Sequence, residues 1–575
     1  MGERGRTAGR VIVLGLDGYE ASFGERLMAE GRMPHLARLK AQSARFGLDH
    51  GPERYTGLAW EHVATGLNPE RSGRWTAVDF DPATYRTRQP ATAFQPVFSG
   101  LGLKPVIFDA PYCDLARTPD LRGLVSWGAH DPGVEPTARP ASLMQEIEAR
   151  FGPYPAPDFI YAFTWPDPAL TARAADALVE ALERRTAITK WLLRERFRDW
   201  DLGMVVVGEL HSAIEPFWHG VDPDHPLADH PSARAAGEGL TRVYEALDRL
   251  IGMLMEEWPD IPLMAFSMHG MGPNEADVPS MILLPELLYR DAFGAPHFEA
   301  PAAWRDAPKG CPTLAPGEHW DLAVKFHLGA SMRPRPSPLG RLKQRVARFL
   351  PGAERSTATG LATESLGWMP SQHYQPFWSR MDAFAVPSFY DGRIRLNLTG
   401  REVGGRIDPE DYDEACARIE DLLRACRDPR TGAPVVRSIS RAVEHAAFNG
   451  EPGRPGDPFA LPGTQADLIV IWQGSPQAFE HPRHGMIGPC PMRRTGGHTG
   501  GDGVLYVHAA EWPAGEHGRR RALDAVPTLL ELAGATPPST LSGTSIRPGA
   551  RTGPAETVEQ DHARDLRGDL HLRAP

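Results

Sequence analysis

Several features that mark whole classes of protein are scarce in this sequence of 575 residues. Its five cysteines are an odd and thinly spread set, which indicates a reducing compartment rather than a disulfide framework. No stretch approaches the roughly 18 consecutive apolar residues of a membrane-spanning helix, and the apolar run at 11–14 is too short for the core of a signal peptide. We therefore expect a cytoplasmic protein that does not contact a membrane.

Basic residues are also in the minority, because 62 Lys and Arg face 73 Asp and Glu, for a net charge of −11. A protein that binds a nucleic-acid polymer needs a broad basic face, so this balance argues against such a partner. With 41% apolar and 23% charged residues the composition is that of a globular chain able to bury a large core. It leaves the oligomeric state open.

Short runs rich in Val and Ile alternate with longer segments of helical period, a pattern typical of a parallel sheet covered by helices on both faces. We predict the fold class α/β: a three-layer α/β/α sandwich with a mainly parallel central sheet and inserted cap regions. The predicted strands are 11–16, 105–108, 204–207, 263–267, 468–472 and 504–507, and the predicted helices are 33–46, 56–66, 171–197, 240–258, 411–426 and 524–533.

Two stretches, about 75–170 and 285–440, fit this rhythm poorly, and we interpret both as insertions that cap the sheet. The predicted division is a core of residues 8-285 and 441-548, a cap of residues 286-440 and a flexible tail of residues 549-575. Within the cap, residues 333–355 carry seven basic side chains and one acid. That segment is either a solvated helix face or a lid that attracts an anionic substrate.

The candidate functional residues follow the predicted strands, because an open parallel sheet binds its ligands at the carboxyl edge. Asp17 follows the first strand and His269 the strand at 263–267. His211 and Glu215 lie four residues apart, so on a helical turn they would face the same side, as a shared metal ion requires. His498 lies in a glycine-rich segment near the C-terminus. Each alone has an ordinary structural interpretation, but together they favour a functional site.

Other candidates carry weaker signals. Thr56 and Gly57 precede a predicted helix, whose free N–H groups and dipole favour an anion, although a lone Thr there is more often a simple cap. Arg493 and Arg494 could clamp an anionic group bidentately or form a plain surface pair. Packing or turn roles are expected for Glu61, His62 and Asp502.

The order of four motifs resembles the alkaline phosphatase superfamily, most closely its type I phosphodiesterase/nucleotide pyrophosphatase branch with its phosphohydrolase/phosphomutase-like members. The motifs are Leu14-Gly15-Leu16-Asp17-Gly18, Thr56-Gly57-Leu58-Ala59-Trp60, Ser267-Met268-His269-Gly270 and Gly496-Gly497-His498. The resemblance implies two metal ions, usually zinc, and a Thr nucleophile that one ion activates. Transferred to the matching positions of this sequence, the roles that the resemblance implies make Thr56 the nucleophile and the Gly57 amide a donor that helps to hold the anion. His498 would bind the first ion, and Asp17, Thr56 and His269 would bind the second.

Two departures from the family pattern concern the metal ligands. Relatives carry Asp-x-x-x-His where this chain has His211-x-x-x-Glu215, and they carry Asp where it has Met268. The first site would then be His211, Glu215 and His498, a set that suits zinc but also Fe(II) or Mn. The second site loses a carboxylate, which predicts weaker metal affinity because a thioether does not replace that charge.

Three functions stay open on these residues. The working hypothesis is a metal-dependent hydrolase or group transferase that acts on an anionic small-molecule phosphate ester or phosphodiester through Thr56, with one or two divalent ions per chain. The alternatives are a different reaction on the same scaffold built on a single Fe, Mn or Zn ion, and a degenerate member that binds an anion or a partner without turnover.

Overall fold

The computed structural model describes residues 9–128, 136–329, 366–443, 457–459, 461 and 463–548. The basic segment at 333–355 and the tail at 549-575 lie outside these ranges. In chain order the strands are β1 (Val11–Leu16), β2 (Ala44–Asp49), β3 (Asp79–Asp81), β4 (Arg86–Arg88), β5 (Pro105–Phe108), β6 (Arg122–Val125), β7 (Thr137–Arg139), β8 (Leu202–Val207), β9 (Leu263–His269), β10 (Gly272–Pro273), β11 (Ala383–Val386), β12 (Gly392–Leu396), β13 (Val436–Arg441), β14 (Leu468–Trp472), β15 (Phe479–His481), β16 (Gly485–Ile487), β17 (Gly496–Gly497), β18 (Asp502–His508) and β19 (Gly515–Arg521).

The central sheet has nine strands in the order β19-β2-β18-β9-β1-β8-β5-β6-β7. From β9 to β6 all neighbours are parallel, whereas β18 runs antiparallel to both β9 and β2, and β7 runs antiparallel to β6. The five runs predicted as strands at 11–16, 105–108, 204–207, 263–267 and 504–507 all lie in this sheet. The predicted α/β/α sandwich with a mainly parallel sheet is therefore confirmed.

Helices cover both faces of the sheet. They are α1 (Ala21–Ala29), α2 (Pro34–Gln42), α3 (Ala59–Thr65), α4 (Pro69–Ser72), α5 (Leu143–Phe151), α6 (Pro168–Trp191), α7 (Glu209–Phe217), α8 (Ala233–Glu257), α9 (Leu284–Phe293), α10 (Ala302–Arg305), α11 (Trp320–Phe326), α12 (Tyr412–Arg424) and α13 (Ala525–Leu532). Side chains alternate along a strand, so Ile12 and Leu14 of β1 pack against α1, α2, α6, α7 and α8, while Val11 and Val13 pack against α3 and α13. None of the helices described combines the length and apolar character needed to cross a membrane.

The strand register brings three strand ends to one level. Leu16 of β1 lies opposite Val207 of β8, and Gly15 lies opposite Phe266 of β9. The carboxyl ends of β1, β8 and β9 therefore meet at one edge of the sheet, which is where parallel α/β sheets hold their ligands.

A second, antiparallel sheet has the order β11-β12-β14-β13 and its own apolar cluster, which also includes residues of α9 and α12. Residues 468–472 form the predicted strand, but they pair with β12 and β13 in this smaller sheet and not in the core. A fully buried apolar run indicates a strand without indicating its partners. The boundaries at 286 and 440 stay predictions.

Some element boundaries differ from those predicted. The helix predicted at 33–46 ends at Gln42, because residues 44–49 alternate between buried and less buried positions and form β2. The long helix predicted at 171–197 begins at Pro168, where the Asp167 carboxylate caps the Ala169 N–H at 2.8 Å. Its last turn, Leu192–Arg196, widens to π geometry. Part of the stretch at 75–170, interpreted as an insertion, supplies β5, β6 and β7 to the central sheet.

A buried ion cluster fixes the helix that follows β8. Arg185 of α6 donates to Glu209, the first residue of α7, at 2.8–3.1 Å and to Asp109 at 2.8 Å, and all three side chains are at most 1% exposed. Its guanidinium also lies over the rings of Phe108 and Trp127. Burial raises the pKa of Glu209, and the positive charge of Arg185 opposes that rise. Arg185 thus gives both buried carboxylates an ion-pair partner, which an apolar interior does not otherwise supply.

Breaking this cluster should destabilise the fold. Arg185→Gln leaves two carboxylates buried with no cation between them, and we expect the free energy of unfolding to fall by about 3–5 kcal/mol. Arg242→Gln is the matched control, because Arg242 pairs with Asp176 at 2.6 Å where both side chains are about half exposed. The control should change the free energy by at most about 1 kcal/mol. Equal shifts of the two urea-unfolding curves would contradict a stabilising role for the buried cluster.

Candidate active site

Two loops and one helix converge at the edge where β1, β8 and β9 end. Asp17 follows β1 directly, and its N–H donates to the carbonyl of Val207 at 3.2 Å. Gly18 then takes a left-handed conformation (φ 73°), and a Cβ there would lie 2.5 Å from the Cα of His211. Only glycine permits both that conformation and that approach without strain. The turn after β1 and the start of α7 are therefore in direct contact.

The centre of the site is a cluster formed by His211, Glu215 and His498. The two Nε2 atoms of His211 and His498 are 3.0 Å apart, and Nε2 of His211 is 3.5 Å from Oε1 of Glu215. One ligand atom from each residue lies within 4.8 Å of the other two, and the residues are 2%, 4% and 8% exposed. A tetrahedral site with bonds of about 2.0–2.2 Å separates its ligand atoms by about 3.3–3.6 Å. The cluster therefore has the size and the donors of a transition-metal site.

The helix α7 explains why these groups meet. Its nine residues are all buried, and the spacing of four places His211 and Glu215 on one side, as their positions in the sequence predict. The chain reaches His498 through β17, whose Gly496 would place a Cβ 2.4 Å from the carbonyl oxygen of Ile214 in α7. The N–H of Thr495 also donates to the carbonyl of Glu215 at 2.9 Å. Close backbone packing thus joins two segments that are far apart in sequence.

Both arginines that precede the glycine-rich segment have carboxylate partners. Arg494 forms an ion pair with Oε2 of Glu215, and Arg493 pairs with Asp277 at 3.2 Å and lies over the ring of Trp368. Burial lowers the pKa of Arg493, and the nearby charge of Arg494 adds to this effect. The structure thus places Arg494 where it holds one oxygen of Glu215 while the other oxygen faces His211. The substrate clamp suggested for the pair stays a prediction.

A row of buried imidazoles extends from this cluster. Nδ1 of His498 is 3.4 Å from Nε2 of His269, whose Nδ1 lies 3.1 Å from the carbonyl of Gly270. His269 stacks on His50 with ring centroids 5.4 Å apart, and His50 is 3.3 Å from His62. Burial lowers the pKa of His269 to about 4 and that of His62 to about 3, and it lowers the pKa of His50 strongly as well. These rings are therefore neutral near pH 7, the form that accepts hydrogen bonds and binds metals.

Thr56 lies at the end of a turn. The 3-10 helix Gly51–Thr56 stops at Gly57, which has a left-handed conformation (φ 71°), and α3 begins only at Ala59. Oγ1 of Thr56 accepts from the N–H of Leu58 at 3.1 Å, and its carbonyl accepts from Ala77 at 3.0 Å. Thr56 therefore precedes the helix by three residues and does not open it directly. Its side chain is buried, with 3% exposed.

A loop of the second sheet covers this turn. Tyr390, between β11 and β12, lies over His498 with ring centroids 4.0 Å apart. A Cβ on Gly57 would lie 3.6 Å from Phe389 and 3.6 Å from Tyr390. Neither aromatic residue is predicted from the sequence, because no local pattern relates residue 390 to residue 498.

The second predicted ligand set is less complete. In the part of the chain that the structure describes, His211, Glu215 and His498 are the one group of three such side chains close enough to share an ion. Asp17 and His269 are both buried at the same sheet edge, but Met268 packs in an apolar cluster with Leu58 and Trp60. Asp502, for which a turn role is expected, pairs with Arg519 at 2.6–2.7 Å.

Fold and site together define an α/β sandwich enzyme with its polar groups gathered at the carboxyl edge of the parallel strands. The chain belongs to the type I phosphodiesterase / nucleotide pyrophosphatase family, whose profile matches residues 11–302, just over half of the chain. Phosphodiesterases and nucleotide pyrophosphatases are enzymes that hydrolyse phosphoester bonds. The family and the enzyme class expected from the sequence are therefore confirmed. The matched range includes Thr56, His211 and His269 but not His498.

Solved structures with a similar fold are distant in sequence. Phosphonoacetate hydrolase from Sinorhizobium meliloti 1021, in complex with phosphonoformate, is 15% identical over 92% of this chain and 98% of its own, with a TM-score of 0.45. Human ectonucleotide pyrophosphatase / phosphodiesterase 5 is 10% identical over 94% and 96%, with a TM-score of 0.42. Identities and scores this low say nothing about the reaction. No curated protein matches the sequence.

We expect the His–Glu–His cluster to hold one divalent ion tightly. His498→Ala removes one of its three ligands and should weaken Zn²⁺ binding by more than the roughly 10–100-fold that loss of an outer partner costs. His508→Ala is the matched control, because it removes a partly exposed imidazole from the end of β18 in the same part of the chain. Competition with a chelator measures both affinities. Unchanged zinc affinity in His498→Ala would show that the cluster is not a metal site.

The charge at residue 268 should decide whether a second ion binds. Met268→Asp restores a carboxylate beside His269, and we expect the bound zinc to rise from one ion to two per chain. Met268→Leu keeps the position apolar and should bind one ion. Elemental analysis of both variants after dialysis provides the measurement, and equal stoichiometry would count against the second site.

Proposed function

We propose that this chain is a metal-dependent hydrolase of phosphate esters or diesters, in which His211, Glu215 and His498 hold a divalent ion and Thr56 is the nucleophile. The observation that carries the proposal is the convergence of three buried ligand atoms within 4.8 Å of one another, in a chain whose family hydrolyses phosphoesters. Two imidazoles and a carboxylate are a donor set that suits Zn²⁺, and Fe(II) or Mn would also fit.

A divalent ion at this cluster would stabilise negative charge on the oxygen atoms that react. The protein's own residues then have separate tasks. The Thr56 hydroxyl gives its proton to solvent, and Oγ1 forms a bond to phosphorus as the bond between phosphorus and the ester oxygen breaks. The departing ester oxygen takes a proton from solvent and leaves as an alcohol. Water then cleaves the bond between Oγ1 and phosphorus, which releases the phosphoryl group and restores the hydroxyl. Gly57 turns the chain directly after the nucleophile, and its N–H helps to hold a phosphoryl oxygen.

The remaining contacts support this division of tasks. Arg494 pairs with Oε2 of Glu215, which leaves Oε1 facing His211 and fixes the carboxylate in a single orientation. The neutral state of His269 keeps its ring able to accept a cation or a hydrogen bond beside His498. Tyr390 covers both His498 and Gly57, which favours a small anionic ester as the substrate.

A different reaction built on a single ion is the second candidate, because one complete ligand set is present among the described residues. A panel of phosphate, sulfate and phosphonate esters separates the two. Turnover confined to phosphate mono- or diesters supports the first proposal, whereas turnover confined to another ester class supports the second.

Substitution of Thr56 tests the nucleophile. Thr56→Ala should reduce hydrolysis of bis(4-nitrophenyl) phosphate to the background rate while zinc affinity stays unchanged, because the His–Glu–His cluster is intact. Thr56→Ser keeps the hydroxyl and should retain measurable turnover. Acid quenching followed by peptide mass spectrometry should find the phosphoryl adduct on the Thr56 peptide in wild type only when substrate is present. Rates in Thr56→Ala close to wild type would refute the assignment.

A further inference from the structure

One arginine at the edge of the site has a charge with no described counter-ion. Arg54 lies on the same 3-10 helix as Thr56, two residues before it. Its Nη1 donates to the carbonyl of Gly500 at 2.8 Å, and its Nη2 donates to the hydroxyl of Tyr55 at 2.9 Å. Nε is buried and has no hydrogen-bond partner among the described residues. No carboxylate among the described side chains pairs with this guanidinium, whereas Arg493 and Arg494 both have one.

The position of Arg54 is set by the loop that follows His498. Gly500, which accepts from Arg54, packs on the turn after β9, since a Cβ on Gly500 would lie 2.3 Å from Gly270. The hydrogen bond to Gly500 and the packing of Gly500 on Gly270 thus place this positive charge next to the turn that follows His269, on the side of the site that carries Met268.

We infer that Arg54 supplies a positive charge on the side of the site where the second ion was predicted, and that it binds a non-bridging oxygen of the substrate's phosphoryl group. This inference rests on the proposed function and adds the residue that recognises the anion. A guanidinium needs no carboxylate ligands to hold it, so its presence is compatible with Met268 where a second bound cation is not favoured. Its planar donors match the oxygens of a phosphoryl group and lie on the turn that carries the nucleophile.

The test is the affinity for inorganic phosphate, measured by calorimetry on the zinc-loaded protein, together with KM and kcat for bis(4-nitrophenyl) phosphate. Loss of one charge-assisted hydrogen bond weakens anion binding by about 10- to 100-fold, so Arg54→Gln should raise the Kd for phosphate by that factor. Arg54→Lys keeps the charge and should recover part of the affinity. Zinc content and thermal stability should match wild type in both variants.

Arg71→Gln is the matched control. Arg71 also donates to backbone carbonyls, those of Ser539, Thr540 and Leu541, and it also lacks a described ion pair, but it lies away from the site on α4. Its phosphate affinity should equal that of wild type.

The outcomes separate this inference from the proposed function. Phosphate affinity that is equal in Arg54→Gln and wild type overturns the inference. An Arg54→Gln variant that is less stable or holds less zinc also overturns it, if the molecules that are folded and zinc-loaded bind phosphate as tightly as wild type. A wild-type protein that binds no phosphate overturns it as well. Arg54-dependent phosphate binding in a protein that hydrolyses no ester supports the inference and refutes the proposed function.

Discussion

The site depends on two imidazole nitrogens that face each other in the protein interior although their residues are 287 positions apart. A hydrogen bond can join two imidazole rings, but the carboxylate of Glu215 adds a negative charge to the same space. Burial penalises such a charge unless a cation balances it. Arg494 forms an ion pair with Oε2 of this carboxylate, while Oε1 faces His211. A divalent cation among the three ligand atoms would add positive charge next to Glu215, which is the physical basis of the proposed metal site.

Much of the fold was predictable because the interior strands are buried on both faces and read as continuous apolar runs. The candidate ligands were predictable for a related reason: strand ends and a spacing of four on a helix are local features. The edge strand Gly515–Arg521 has mostly polar side chains and carries no such signal. Leu468–Trp472 was predicted as a strand, but its membership of the smaller sheet depends on partners that its own residues do not specify.

The sequence pattern did not predict residues whose place in the site depends on contacts between distant parts of the chain. Tyr390 contacts His498 from a loop of the second sheet, and Arg54 donates a hydrogen bond to Gly500 in the loop at 499–501. The same loop of the second sheet is itself fixed, because Arg393 pairs with Asp391 in the interior and approaches the carbonyl of Tyr55 at 3.5 Å. The second sheet therefore contributes to the surroundings of the candidate site, since its loop lies against both His498 and the turn at Gly57.

The order of imidazole and carboxylate on α7 has a consequence for the whole site. Positions four residues apart on a helix face the same side. The order His211-x-x-x-Glu215, in place of the family pattern Asp-x-x-x-His, therefore leaves the ligand types and the total charge of the candidate His–Glu–His cluster unchanged. Placing the carboxylate at the second position brings it against Arg494, which precedes His498 in the chain. That contact gives the guanidinium of Arg494 a carboxylate partner within the protein. Arg54, which donates to the loop after His498, has no described carboxylate partner, and that difference is the basis for proposing it as the guanidinium that binds an anion.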